Sequence, residues 1–383
     1  VNEPWHIRYV CKDAAYYDMS YNVYENGLLY TVPNASGTQA CFLDYETMNG
    51  VPLCNKPNCT HSDSSCVSNL CAGSFMVPVI YHDYVYWFAS NYEIVDSQDG
   101  KSQTADMHTK CMRARLDTGL TETFAEIDGV YMQNQIDLAI VNDTMYIIGS
   151  KEIYQDETDG TWGGFSRSGE QYLYSINLDS AEVQNYGLIN DAPTAKYNWS
   201  YGASLWSEVK MEGIYHDKLY LYYRYVKDPQ IIIDYLNTDW VENGSPRNDI
   251  PWIIENKCLD LKTGEITVSD LPYAWCIGEN HYIYEENEKF FILDEDGEKT
   301  AVENMYDNET NDFTFVNNKL WKGSINQGFD VKTDEEFSIS DKYADKDAMI
   351  MDFVDNQYVV RYVENNEVKF DRVSEQDFIG GAK

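Results

Sequence analysis

Ile80-Tyr81-His82-Asp83-Tyr84-Val85-Tyr86 reads as an apolar strand, a polar turn and a Tyr-rich strand, and the phrase recurs along the chain. Further copies are Val23-Tyr24-Glu25-Asn26-Gly27-Leu28-Leu29-Tyr30, Ile140-Val141-Asn142-Asp143-Thr144-Met145-Tyr146 and Ile214-Tyr215-His216-Asp217-Lys218-Leu219-Tyr220. Two more are Phe315-Val316-Asn317-Asn318-Lys319-Leu320-Trp321 and Phe353-Val354-Asp355-Asn356-Gln357-Tyr358-Val359. Asn, Asp and Gly tolerate the left-handed backbone that a two-residue hairpin needs. A second hairpin follows each copy, built on a Leu-Asp-x-x-Thr-Gly-like turn such as Leu116-Asp117-Thr118-Gly119 or Leu259-Asp260-Leu261-Lys262-Thr263-Gly264. Looser versions lie at Phe42-Leu43-Asp44, Ile176-Asn177-Leu178-Asp179, Leu293-Asp294-Glu295-Asp296-Gly297 and Phe329-Asp330-Val331-Lys332-Thr333. Two hairpins make a four-stranded antiparallel unit, and repetition of such units predicts an all-β fold, a β-propeller.

The units fall near residues 20–55, 76–126, 136–189, 210–272, 273–303, 312–340 and 348–378, so seven blades are expected, with six or eight also compatible. One domain, 1–383, holds them all. Insertions around 54–73, 91–109, 151–170 and 190–208 read as loops gathered on one rim. An open sheet edge invites pairing, and the last unit is short of a strand. The N-terminal segments Ile7-Arg8-Tyr9-Val10 or Ala15-Tyr16-Tyr17 are expected to supply it.

The net charge is −36, yet aromatic residues make up 14% of the chain and Tyr alone supplies 32 residues. That is too much core-forming material for a disordered acidic protein. The charge argues against nucleic acid and anionic membrane surfaces as partners, both being polyanions. No run approaches the roughly 20 apolar residues needed to span a bilayer. The chain begins at Val1, which suggests removal of an export signal.

Of nine cysteines, Cys54, Cys59, Cys66 and Cys71 fall close together. Cys54, Cys59, His61 and Cys66 offer three sulfurs and an imidazole, a set that suits tetrahedral zinc, although the spacing departs from the paired C-x2-C of common zinc fingers. Alternatively the four cysteines form two disulfides that staple a loop poor in apolar residues, with three possible connectivities. A redox role for the loop Cys54–Cys71 is a further alternative. Cys41, Cys111 and Cys258 read as small buried strand residues.

The Tyr-rich repeats, together with Val51-Pro52-Leu53-Cys54-Asn55-Lys56-Pro57-Asn58-Cys59-Thr60-His61 and the following Cys66, resemble the exported β-propeller lipoproteins of anaerobic Gram-positive bacteria. That family carries a PLCxxPxCxHxxxxC segment after its first repeat and has no assigned activity. The resemblance implies an extracellular, membrane-tethered protein and supports the fold, but supplies no catalytic residues. For an exported chain the disulfide reading comes first.

Signatures of catalysis are sparse. No Gly-x-Ser-x-Gly elbow, phosphate-binding loop or His-Glu-x-x-His helix is present. Asp294-Glu295-Asp296-Gly297-Glu298 and Asp156-Glu157-Thr158-Asp159-Gly160 offer oxygens for calcium but lack EF-hand spacing, so they read as solvated turns. Trp162, Trp199, Tyr201 and Trp206 stand in Gly-, Ser- and Asn-rich segments where exposed rings suit sugars or peptide side chains; packing between blades is the plainer role for them. The sequence therefore points to an extracellular, non-catalytic binding or scaffold module for carbohydrate or peptide, with no cofactor required. The alternative is a glycoside hydrolase or lyase with a carboxylate pair in the propeller channel.

Overall fold

The structure, a computed structural model, describes residues 21–24, 26–34, 37–56, 58–62, 65–71, 78–96, 103–132, 138–157, 164–190, 207–228, 231, 251–278, 281–287, 289–302, 313–322, 327–346, 348–365 and 367–380. The chain is all-β, with seven small antiparallel sheets, a seven-bladed β-propeller. In chain order the sheets span residues 21–52, 79–128, 138–188, 207–268, 274–302, 313–339 and 349–374. Within each, hydrogen-bonded neighbours follow sequence order, so each blade is a meander. These spans match the units expected from the repeats.

The first turn of each blade shows why Asn, Asp and His recur there. Asn142 and Asp143 have φ of 47° and 58°, Asn317 and Asn318 50° and 59°, and Asp355 and Asn356 49° and 59°. Positive φ at both central residues is the two-residue turn whose twist matches paired strands, and it closes Val141 against Thr144 and Val316 against Lys319. The second turn works through its leading Asp or Asn side chain, which accepts from backbone N–H groups further along the turn. Asp44 Oδ1 accepts from Thr47 at 2.8 Å, Asn177 Oδ1 from Ser180 at 2.8 Å and Asp260 Oδ1 from Thr263 at 2.9 Å. Asp294 and Asp330 cap their turns in the same way. Four residues after that side chain the backbone must turn left-handed, at Gly264 with φ 75° but at Ala181 with φ 63°.

Two insertions expected as loops are strand extensions instead. Tyr84–Asp96 pairs with Gln103–Arg115, and Thr144–Glu157 with Gly164–Asn177, as unbroken antiparallel arms. The ladder keeps one register out to Asp96 opposite Gln103 and Glu157 opposite Gly164. The segment from Gly164 to Gly169 is thus strand, not flexible loop.

Two compact units can be distinguished: the described residues up to Val79 with Glu212–Tyr220 and those from Asp270 onward, and the stretches Ile80–Met211 and Leu221–Ser269. In the first unit, consecutive sheets bury their faces on one another. Ile283, Phe290 and Ile292 of the fifth sheet pack on Phe315, Leu320 and Phe329 of the sixth. Trp321 and Phe337 of the sixth meet Ile350, Tyr358 and Val360 of the seventh. Met349, Met351 and Val359 of the seventh then pack on Leu28 and Leu43 of the first, and Arg372 Nη1 donates to the Tyr45 carbonyl at 2.8 Å. In the second unit, the Tyr81 hydroxyl of one sheet donates to Asp143 in the turn of the next.

The chain end is used as well. After the seventh sheet, the helical turn Glu375–Phe378 buries Phe378, and Ile379–Gly380 adds a fifth strand to the sixth sheet against Glu335–Ile339. Among the described residues the seventh sheet has three strands. The fourth strand expected from residues 7–17 lies outside the described residues. No helix among those residues is long and apolar enough to cross a membrane.

Ala181 and Gly264 occupy equivalent left-handed positions, and a Cβ on Gly264 would meet only Tyr186, at an ordinary 3.5 Å. Ala181→Gly is expected to stabilise the fold and Gly264→Ala to destabilise it, each by about 1 kcal/mol in urea denaturation, because the cost lies in φ rather than in space.

Candidate metal centre

The loop that follows the first sheet is short of apolar residues, and its backbone is steered by local turns. Leu53 N–H donates to the Ala40 carbonyl at 2.9 Å, Cys54 N–H to Pro52 at 2.7 Å, and Cys59 N–H to Lys56 at 3.2 Å. Asn58 and His61 adopt left-handed φ of 58° and 54°, reversing the chain on both sides of Cys59. Cys66 then caps the helical turn Val67–Leu70, with its carbonyl accepting from Asn69 and Leu70. These reversals bring Cys54 Sγ, Cys59 Sγ, one His61 ring nitrogen and Cys66 Sγ within 4.8 Å of one another.

A side chain of the first sheet also ties the loop down. Gln39, on the strand Gly37–Asp44, donates through Nε2 to the His61 carbonyl at 3.2 Å and lies 3.3 Å from Asn69 Oδ1. Asn69 Nδ2 donates to the same His61 carbonyl at 3.0 Å. Cys66 Sγ is 3.5 Å from His61 Nδ1 and 3.0 Å from the Ser68 hydroxyl. Burial alone would push the Cys66 thiol up, but the Ser68 hydroxyl, the His61 ring, the Ser68 amide and Cys54 outweigh it and hold it at about 6. Burial raises Cys54 to about 11, and the neighbouring Cys66 and Cys59 add to the rise against the Lys56 amide.

The sequence-predicted residues divide as follows. Cys54, Cys59, His61 and Cys66 converge; Cys71 does not join them. It is fully buried at the end of the helical turn, its amide donates to the Val67 carbonyl at 2.9 Å, and burial pushes its thiol up strongly. Cys54, Cys59, Cys66 and Cys71 are free thiols in the structure. Cys41, Cys111 and Cys258 are buried strand residues, as read. Trp162, Trp199, Tyr201 and Trp206 lie outside the described residues. Asp294 spends Oδ1 on its own turn, and residues 158–160 of the other acidic run lie outside the described residues.

No protein-family model matches the chain, and no curated protein matches it. Among solved structures, an oligogalacturonate lyase in complex with manganese is similar at 10% identity and TM-score 0.29, over 92% of this chain and 75% of that one. TolB from Acinetobacter baumannii is similar at 10% identity and TM-score 0.27, over 93% and 79%. A Pyrococcus horikoshii acylaminoacyl peptidase is similar at 14% identity and TM-score 0.42, over 98% of this chain but 53% of that one, so the chain spans about half of the peptidase. At these TM-scores none of the three bears on what this chain binds or does.

One group escaped the sequence reading. Glu212 is half-buried as a residue, but both carboxyl oxygens are fully buried, with the Ala274 amide beside them. Burial raises its pKa well above the ordinary carboxylate value, only partly offset by the Ala274 amide. Nearby Tyr282 donates to the Pro272 carbonyl and packs with Tyr215 and Tyr220 at ring distances of 5.8 and 5.5 Å. With 64 acidic residues in the chain, nothing in the sequence distinguishes this one. A group whose folded pKa is raised contributes stability that is full below the ordinary carboxylate range and is lost as pH climbs above it. Between about pH 5 and pH 8, wild type is therefore expected to lose stability relative to Glu212→Gln, by at most about 1.4 kcal/mol per pH unit. Urea denaturation of both proteins across that range measures the difference, and parallel curves would remove Glu212 from the pH response.

Proposed function

We propose that the protein is an exported, lipid-anchored binding or scaffold module without catalysis, and that its ligand is an uncharged carbohydrate or a peptide. One observation carries the reading: the polar side chains that recur from blade to blade are consumed by the fold. Asp44, Asn177, Asp260, Asp294 and Asp330 each accept backbone N–H groups of their own turns. Asp143, in a first turn, accepts from Tyr81 of the preceding blade. Residues spent in this way support a scaffold, and specificity then belongs to segments that do not repeat. The net charge of −36 supports a ligand that is not itself a polyanion. The resemblance of Pro52-Leu53-Cys54 through Cys66 to exported lipoproteins supports the location.

A carboxylate-pair glycosidase is the competing reading, and it needs two carboxyl groups roughly 5–10 Å apart. Glu212 has the raised pKa of a general acid, but its immediate neighbours Tyr282 and Ala274 provide no second carboxyl. Glycan and peptide arrays with the purified protein, together with a panel of chromogenic glycosides, separate the two. Binding without turnover is expected, with Trp199→Ala or Trp206→Ala weakening it about 10-fold, the scale of one aromatic anchor. Turnover of any glycoside would replace the binding module by the hydrolase.

A further inference from the structure

We propose that Cys54, Cys59, His61 and Cys66 form a closed, structural zinc site that folds the loop after the first sheet and fastens it to that sheet. The argument rests on geometry. Zinc bound by sulfur at about 2.3 Å and by imidazole nitrogen at about 2.0–2.1 Å sets the edges of its tetrahedron at about 3.6–3.8 Å. The observed Cys66 Sγ to His61 Nδ1 separation of 3.5 Å is such an edge, and no pair among the four ligand atoms exceeds 4.8 Å. A contraction of about 1 Å in the widest pair converts this arrangement into a coordination shell. Two disulfides would require a different arrangement: sulfurs bonded in pairs at about 2.05 Å, with Cys71 as the fourth partner. Cys71 is the cysteine that the helical turn Val67–Leu70 withdraws from the group.

The ligand count sets the role. Four protein ligands fill the tetrahedron and leave no position for a water or substrate, which distinguishes structural from catalytic zinc. Three thiolates and a neutral imidazole also favour zinc over calcium or magnesium, which prefer oxygen. The surrounding shell is of the kind that orients ligands. Gln39 and Asn69 both hold the His61 carbonyl, and the Ser68 hydroxyl lies on the Cys66 sulfur. Lys56 Nζ donates to the Ser65 carbonyl at 3.0 Å, closing the loop across the residues between the ligands. The loop carries few apolar residues, so the metal would supply cohesion that a core cannot. Binding would release the thiol protons of the cysteines, which ligate as thiolates.

The experiment is metal analysis of the whole chain, purified under reducing conditions and equilibrated with zinc or cobalt(II), alongside native mass spectrometry and thiol alkylation of the unreduced protein. The expected result is one zinc per chain, tetrahedral cobalt bands in the visible spectrum, and three thiols that become alkylatable only after chelation. Cys71→Ala should keep the full metal content, whereas Cys59→Ser and His61→Ala should lose stoichiometric metal. Ser68→Ala, which removes a neighbour rather than a ligand, should weaken zinc binding about 10-fold while leaving the blades folded by circular dichroism. Protein lacking two hydrogens per cysteine pair, with no metal taken up after reduction, would overturn the site in favour of disulfides. Loss of metal in Cys71→Ala with the fold retained would overturn the ligand set. Either result leaves the binding-module reading untouched, because that reading rests on the blades and not on this loop.

Discussion

A four-stranded sheet has two faces and cannot bury both by itself, and that constraint governs the arrangement of this chain. Each small meander offers aromatic and aliphatic side chains that require a second sheet to cover them. In the series from the fifth sheet through the sixth and seventh to the first, the covering is direct. Phe290 and Phe315 share one core, Trp321 and Tyr358 a second, and Met351 and Leu28 a third. Removing a fully buried ring such as Trp321 would cost about 3–5 kcal/mol, against about 0–1 kcal/mol for a surface ion pair, so these interfaces and not the many acidic side chains set the stability. Packing the seventh sheet on the first lets residues far apart in sequence share one core, and the Arg372 contact to Tyr45 fixes the register of that join.

Much of this was legible because the repeat writes the same physical requirement several times. Asn317-Asn318 and Asp355-Asn356 stand where both backbone angles must be positive, and Asp260 and Asp330 where a turn needs an acceptor. Such residues are informative because few side chains meet those demands. Strand length is a different matter. The pairing from Tyr84–Arg115 out to Asp96–Gln103 runs through a mixture of polar and apolar residues, such as Asn91, Glu93, Ile94, Asp106 and His108, so its composition does not differ from that of a loop. The strand Ile379–Gly380 was equally hidden, since two residues carry no period, and its place comes from Phe378 being buried just before it.

The cysteine loop was only half legible, for a related reason. Spacing along the chain says how far a sulfur can reach, not which way it faces, and the facing is set by backbone reversals at Asn58 and His61. Neither is a glycine, so the left-handed conformation was not announced by residue type, although Asn tolerates it better than most. The separation of Cys71 from the others depends on a helical turn of four residues, too short to show a helical period. Glu212 was invisible for the opposite reason, because its neighbours in sequence look like any other strand while its environment includes the distant Tyr282 and the Ala274 amide.

A stretch such as residues 53–71 poses a problem of cohesion before any question of activity. Among its described residues the buried side chains are Cys66, Val67, Ser68 and Cys71, and these cannot offset the conformational entropy of ordering the rest. Hydrogen bonds from Gln39 tether the loop at His61 and Asn69. A cross-link is the physical solution, and a disulfide and a metal ion are alternative forms of it with incompatible geometries: one draws sulfurs together in pairs, the other holds four ligands mutually equidistant. Mutual proximity of three sulfurs and a ring nitrogen, with the fourth sulfur turned away, is the second geometry. With the proposed zinc site, the blades and the loop would be stabilised by different means, apolar faces in one case and a ligand shell in the other, and each could vary without the other.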